Sequence, residues 1–131
     1  MKSPWIAIGT AWAGLAVALG AFGAHGLEKL TDSPKAHEWW ATAADYHFGH
    51  ALALVLLGLF ERGLPDAARG VWTGRLLLVG SLIFSGTLYA MALGGPSKLG
   101  AVTPIGGVLL IAGWVTFALR AWRCSRTGET A

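Results

Sequence analysis

The sequence predicts an all-α integral membrane bundle of four transmembrane helices, with both termini in the cytoplasm. Four long segments contain no Asp, Glu, Lys or Arg, namely residues 3–27, 46–60, 76–97 and 99–119. A membrane-spanning helix needs about 20 mostly apolar residues, and a helix satisfies its own backbone hydrogen bonds in lipid. Hydrophobic residues make up 54% of the chain and charged residues 13%. We therefore expect one transmembrane domain over residues 1–131, with spans at about 4–27, 37–61, 75–96 and 103–122.

Lys and Arg are distributed unequally between the two sides that four spans would create. Three fall on the side of the first and third loops: Lys29, Lys35 and Lys98. Seven fall on the side of both termini and the second loop: Lys2, Arg62, Arg69, Arg75, Arg120, Arg123 and Arg126. Because basic residues favour the cytoplasmic side, we expect both termini in the cytoplasm and residence in a bacterial inner membrane. These charges lie at span ends without a soluble module, so the net charge of +3 does not indicate a nucleic-acid partner.

The second span is expected to begin outside the hydrocarbon and to carry an acidic residue into it. Ser33 and Pro34 are typical of a helix start, with Ser as the N-cap and Pro at the first helical position. A helix from Pro34 to about Arg62 would be roughly 43 Å long. Asp45 would then lie below the outer headgroups, and an Asp at a helix centre costs about 2.5–3.5 kcal/mol on insertion. Helical spacing places Asp45 on one side, nearer the outer surface, with Lys35, Glu38, Thr42 and Gly49.

Polar side chains in or near the spans are the candidate functional residues, because such groups are rare in lipid. The candidate cluster comprises His25, Asp45, Tyr46, His47, His50 and Ser85. His50 comes four residues after Tyr46 and three after His47, so these rings can touch on one helix. Counted from Trp40, His50 lies roughly 15 Å along the axis, near mid-membrane. We expect His50 to face the bundle interior with a polar partner on the third span, where Ser85 lies at nearly the same depth.

Four interpretations of this cluster stay open. In the structural one, His50 fixes the helix register through a hydrogen bond. In the metal one, His47 and His50 have the spacing of two imidazole ligands, and His25, near the outer surface, or Asp45 would supply a third. The others are haem between two axial histidines and ligand binding or proton transfer. Ser85 and His50 lack the third group and the elbow motif of a hydrolase, so we expect no enzyme activity and no bound metal or cofactor.

Small residues recur at helical spacing on the predicted spans, where they let membrane helices approach closely. The predicted packing residues are Gly20, Ala24, Gly86, Ala90, Gly106 and Gly113. Thr103 and Pro104 are typical of the N-cap and the first position of the fourth helix.

Several motifs, taken in chain order, resemble one family. They are Gly20-Ala-Phe-Gly-Ala-His25-Gly-Leu27, Trp40-Ala-Thr-Ala-Ala-Asp-Tyr46 with His50-Ala-Leu-Ala-Leu54, Phe84-Ser-Gly-Thr-Leu-Tyr89, and Thr103-Pro-Ile-Gly-Gly107 with Gly113-Trp114. Over its whole length the chain resembles the small four-helix membrane proteins of domain of unknown function 423, which include bacterial YgdD and YwdK and animal transmembrane protein 256. The resemblance implies a four-span bundle and membrane residence, and it implies no reaction. His47 departs from the family pattern, in which glutamine commonly follows the tyrosine, so the family does not imply a His47–His50 metal site.

The expected function follows from the small size, the small-residue grooves and the incomplete catalytic groups. We expect a non-catalytic accessory or assembly subunit of a larger membrane complex. Its partners would be the lipid bilayer and either other membrane subunits or further copies of the chain. The alternative is a ligand-, metal- or proton-handling bundle that uses His25, Tyr46 and His50, with Asp45 near the entrance.

Overall fold

A computed structural model describes residues 3–65 and 70–128 of the chain. Lys2 and Arg69, which enter the orientation argument, lie outside the described residues, as do both ends of the predicted 1–131 domain. Four long helices make up most of the described chain: α1 (Trp5–His25), α2 (Pro34–Arg62), α3 (Val71–Ala92) and α4 (Thr103–Gly128). By length and composition, four helical segments are able to cross a membrane, and the described ranges contain no strand. The predicted all-α fold of four membrane-spanning helices is confirmed.

Local chain chemistry sets the start of α2 and the end of α3. Ser33 caps α2, as predicted, because its side chain accepts a hydrogen bond from the Ala36 N–H at 3.4 Å. Helix α3 runs from 71 to 92 rather than over the predicted 75–96. It ends where Gly94 adopts a left-handed backbone conformation with φ of 89°, and the Gly95 N–H donates to the Ala90 carbonyl at 2.8 Å. This is the hydrogen-bond pattern of a glycine-terminated helix.

The fourth helix begins with Thr103 rather than after it, so the predicted N-cap is wrong by one residue. The Thr103 hydroxyl donates to the Leu99 carbonyl at 3.1 Å and lies 2.7 Å from the Thr87 hydroxyl on α3. A short 3₁₀ helix, Ser97–Ala101, leads almost directly into α4. The hydroxyl therefore joins α4 to its neighbour instead of capping the helix.

Consecutive helices pack side by side, α1 on α2, α2 on α3 and α3 on α4. Residue 3, the end of α2, the start of α3 and the end of α4 lie at one end of the bundle, which we call the terminal end. We call the opposite end the loop end. The core at the loop end contains Leu27, Ala36, Trp40, Ala43, Leu88, Tyr89, Met91 and Ala92. The core at the terminal end contains Trp5, Ala53, Leu54, Leu57 and Leu77. His47 and His50 follow Ala43 and precede Ala53, so they lie between the two apolar cores.

Two predicted packing glycines bring α4 against α3. A Cβ on Gly106 would lie 2.5 Å from the Phe84 backbone nitrogen. A Cβ on Gly113 would lie 2.7 Å from Cδ2 of Leu77. Both distances are far below an ordinary carbon contact. The two helices can therefore pack this closely only because glycine has no side chain at these positions.

The other two predicted packing glycines, Gly20 and Gly86, do not bring helices of this chain together. A Cβ on Gly20 or on Gly86 would meet nothing within 4 Å. Ala24 is exposed and Ala90 is half-buried. Helix α1 instead approaches α2 at Gly9, where a Cβ would lie 2.8 Å from an α2 carbonyl oxygen. The small-residue spacing identifies a helix face, but it does not identify the neighbour that the face meets.

Candidate functional site

His47 lies at the centre of a buried polar cluster that joins α1, α2 and α3. Its side chain is 1% exposed, and Nδ1 lies 3.3 Å from the Tyr89 hydroxyl. The ring packs against Trp12 with 4.2 Å between centroids. The Trp12 Nε1–H in turn donates to the Ser81 hydroxyl at 3.1 Å. These contacts tie three helices together at the level between the two apolar cores.

His50 faces the bundle interior, as predicted, but its partner lies on a different helix from the expected one. Its Nε2 accepts a hydrogen bond from the Trp114 indole N–H on α4 at 3.1 Å. Because an indole N–H only donates, the proton of the neutral ring lies on Nδ1, which donates to the Tyr46 carbonyl at 2.7 Å. The prediction that Ser85 or another third-span group would be the partner is wrong. His50 is turned about 60° from His47 around α2, so His47 meets α3 while His50 meets α4.

Within this central cluster, His47 Nε2 and Ser85 Oγ are buried and have no hydrogen-bond partner among the described residues. Ser85 is 1% exposed and lies one helical turn from both Ser81 and Tyr89 on α3. Buried atoms of this kind are commonly satisfied by a small polar molecule such as water. Across residues 3–65 and 70–128, no three His, Cys, Asp or Glu side chains are grouped to hold a metal ion. The donor set therefore suits a small polar molecule better than a metal.

The remaining three candidates lie at the surface and do not join the buried cluster. His25 is exposed at the last residue of α1. Tyr46 is 45% exposed, and its ring lies 4.4 Å from that of Phe84 and 5.8 Å from that of His50. Asp45 is exposed on the outward side of α2. The predicted cluster of six residues is thus divided between the interior and the surface.

Asp45 lines a groove of about 300 Å³ between the loop-end halves of α1 and α2, which we call the Asp45 groove. Small residues line most of it: Gly20, Gly23, Ala24, Ala41 and Ala44. Trp40 also lines the groove, and its Nε1–H donates to the Leu19 carbonyl at 2.8 Å, which holds the indole against α1. Glu38 is exposed and Thr42 half-buried on the same outward stripe as Asp45, as predicted.

Glu61, which is not among the predicted candidate residues, forms a second buried polar centre at the terminal end. The residue is 2% exposed. Its carboxylate accepts hydrogen bonds from the Ser3 hydroxyl at 2.7 Å, the Gly70 N–H at 3.0 Å and the Arg120 guanidinium at 2.8 Å. The one signal in the sequence is an acidic residue in the last turn of a helix, where the helix dipole disfavours negative charge.

Comparison with known proteins assigns the family. A family model described as a protein of unknown function, DUF423, matches residues 19–107. UPF0382 membrane protein YwdK of Bacillus subtilis is 41% identical over 89% of this chain and 94% of its own length. UPF0382 membrane proteins of Schizosaccharomyces pombe and Haemophilus influenzae are 42% and 33% identical, over 78% and 94% of this chain and 87% and 97% of their own lengths. No solved structure matches the chain significantly. The predicted resemblance is confirmed, and the chain belongs to the DUF423 family of UPF0382 membrane proteins, whose function is unknown.

Proposed function

We propose that this protein is a non-catalytic accessory or assembly subunit of a larger membrane complex. The observation that carries the proposal is a set of helical glycines without a packing role in the chain. A Cβ would meet nothing within 4 Å at Gly14, Gly20, Gly49 and Gly86. A glycine inside a helix costs about 1 kcal/mol relative to alanine, and small residues at a helix surface let another membrane helix approach closely. Contacts with other membrane proteins would account for these positions.

The absence of catalytic activity is part of this proposal, and it is supported by how the polar groups are used. Both ring nitrogens of His50 are engaged, one by Trp114 and the other by the Tyr46 carbonyl. The Ser85 hydroxyl has no hydrogen-bond partner in the described part of the chain, so no base there is positioned to remove its proton. The polar groups of the interior therefore serve packing between helices.

The proposed setting is a bacterial inner membrane with both termini in the cytoplasm. Support comes from the basic residues, seven of which fall with the termini and the second loop against three on the other side, counted along the sequence. The terminal end would accordingly be the cytoplasmic end of the bundle. The Glu61–Arg120 ion pair would lie close to that membrane surface.

Native mass spectrometry of the protein, extracted from its own membrane with surrounding lipid, tests the proposal. We expect a reproducible complex of defined stoichiometry with a larger membrane protein, retained when the extract is diluted. A matched extraction of a Gly86→Leu variant should lose or weaken the complex if that open face contributes to it. A wild-type protein found only as a monomer or homo-oligomer would contradict the accessory role.

A second function, binding of a small polar ligand or transfer of protons, is favoured by one observation. His47 Nε2 and Ser85 Oγ are both buried without a hydrogen-bond partner among the described residues. The same mass spectra test it, because a discrete extra mass on the wild-type protein that disappears in a His47→Phe variant would support it. Identical masses apart from the substitution would contradict ligand binding at this cluster.

A further inference from the structure

We propose that the Asp45 groove binds a membrane-spanning helix of a different protein, and that this helix carries a Lys or Arg at the depth of Asp45. The inference rests on the proposed accessory function and deepens it by naming the chemistry of the partner. Its basis is the combination of an open, small-residue groove with one negative charge that no other residue of the described chain neutralises.

The shape of the groove suits a helix. Gly23 packs directly under Trp40, since a Cβ on Gly23 would lie 2.5 Å from the indole Nε1. The indole is 4% exposed and is held by its hydrogen bond to the Leu19 carbonyl, so the floor of the groove is rigid. Gly20, by contrast, faces open space. A rigid floor flanked by glycine and alanine is the kind of surface on which another membrane helix can lie at close range.

Asp45 lies deeper than the headgroup level. Lys35 Nζ lies 5.4 Å from the centre of the Trp39 ring, and Lys and Trp at a span end mark the membrane interface. Asp45 comes six residues after Trp39, which is about 9 Å further along the helix. It is exposed there, and the described residues give it no hydrogen bond and no ion pair. Acidic residues at such depths are found paired with a cation or facing a polar cavity, so a cation is expected to meet Asp45 from outside the chain.

A second copy of this chain is a poor source of that cation. Copies in the same orientation place equal depths side by side, and the apolar segments 3–27, 46–60, 76–97 and 99–119 contain no Lys or Arg to meet Asp45 at its depth. The sequence between Lys35 and Arg62 contains no Lys or Arg. Lys35 lies ten residues from Asp45, about 15 Å along α2, which is beyond the reach of a lysine side chain. A lipid amine stays at the headgroup level, above Asp45. A basic residue on the helix of another protein can lie at the same depth as Asp45 and reach its carboxylate.

The inference can be tested with synthetic helices in vesicles of phosphatidylcholine. One probe is a Leu- and Ala-based peptide of about 20 residues with a single Lys at the level of Asp45, and its control has Leu at that position. Energy transfer is measured between the peptide and the full-length protein labelled at Cys124, its only cysteine. We expect the Lys peptide to associate about tenfold more tightly than the Leu peptide, corresponding to about 1.4 kcal/mol.

The variants separate the charge from the shape of the groove. Asp45→Asn should remove the preference for the Lys peptide, and Gly20→Leu should weaken association of both peptides by filling the groove. Ala18→Leu is the matched control, because Ala18 is an exposed small residue of α1 that does not line the groove; it should leave association unchanged. Equal binding of the two peptides to wild type, or an undiminished preference in Asp45→Asn, would overturn the inference. Labelled protein that pairs only with itself or with lipid would overturn it as well.

Failure of this inference is distinguishable from failure of the proposed function. A heteromeric complex extracted from native membranes that survives Asp45→Asn would overturn the groove assignment and leave the accessory role standing. Wild-type protein extracted without any partner would instead overturn the accessory role.

Discussion

Glu61 brings together three parts of the chain that are far apart in sequence. It accepts hydrogen bonds from Ser3 ahead of α1, Gly70 ahead of α3 and Arg120 near the end of α4. A buried carboxylate is stabilised only if its partners replace the water it has lost. The described contacts that meet this condition for Glu61 include the Arg120 ion pair and two neutral donors. The same contacts show why removal of its carboxylate should affect the whole bundle rather than one helix.

We predict that Glu61→Ala destabilises the protein by about 3–5 kcal/mol, because it breaks a buried ion pair and removes the acceptor of two further hydrogen bonds. Unfolding in mixed micelles of dodecylmaltoside and sodium dodecyl sulfate measures the change. Glu38→Ala is the matched control, since Glu38 is exposed on the same helix, and its effect should stay within about 0.5 kcal/mol. Adding Arg120→Leu to Glu61→Ala should restore part of the lost stability. Equal effects of the two alanine variants would contradict the structural role of Glu61.

The orientation of His50 could be predicted from the sequence, whereas its hydrogen-bond partner and the role of Glu61 could not. The inward orientation of His50 follows from the rarity of polar groups facing lipid, and the structure agrees with it. Its partner Trp114 was not predictable, because the partner depends on how far α4 is rotated and shifted against α2. The role of Glu61 could not be predicted, because an acidic residue near a helix end has the sequence pattern of an ordinary surface residue, and its burial depends on how the other helices pack.

At the scale of helices, the existence and approximate bounds of each element could be predicted, but the contacts between elements could not. Long apolar segments indicate four spans, Ser33 indicates the start of α2, and Gly94 explains the end of α3. The periodicity of small residues marks a face on each helix, yet only Gly106 and Gly113 among the predicted glycines face a neighbouring helix. Helical periodicity contains no information about which side of a helix meets which neighbour.

Glycines that contact a neighbouring helix and glycines that face open space should respond differently to a larger side chain. Gly106→Leu should lower the stability by about 1–3 kcal/mol or more, because the Phe84 backbone leaves no room even for a Cβ. Gly86→Leu should change the stability of the isolated protein by no more than about 0.5 kcal/mol, because its face is open. Micellar unfolding of the two variants side by side gives the comparison. The packing of α3 on α4 described above would be refuted if Gly86→Leu proved the more harmful change.

For the whole molecule, an even number of spans places the start of α1 and the end of α4 on the same side of the membrane. The structure agrees, since the residues that surround Glu61 gather at the terminal end. The geometry of the bundle is the same whichever side that end faces. The direction is therefore a separate property, and it depends on the charges outside the lipid rather than on packing.

We predict that the terminal end is cytoplasmic, because most basic residues lie with it and basic segments resist translocation. The only cysteine, Cys124, lies near the end of α4, so it should react with a membrane-impermeant maleimide only after the cells are opened. A Ser97→Cys, Cys124→Ser variant moves the thiol to an exposed residue at the loop end without changing the charge, and it should react in intact cells. The reverse pattern would place the loop end in the cytoplasm. It would also put the Asp45 groove in the cytoplasmic leaflet, so that a partner helix would have to carry its Lys or Arg on that side.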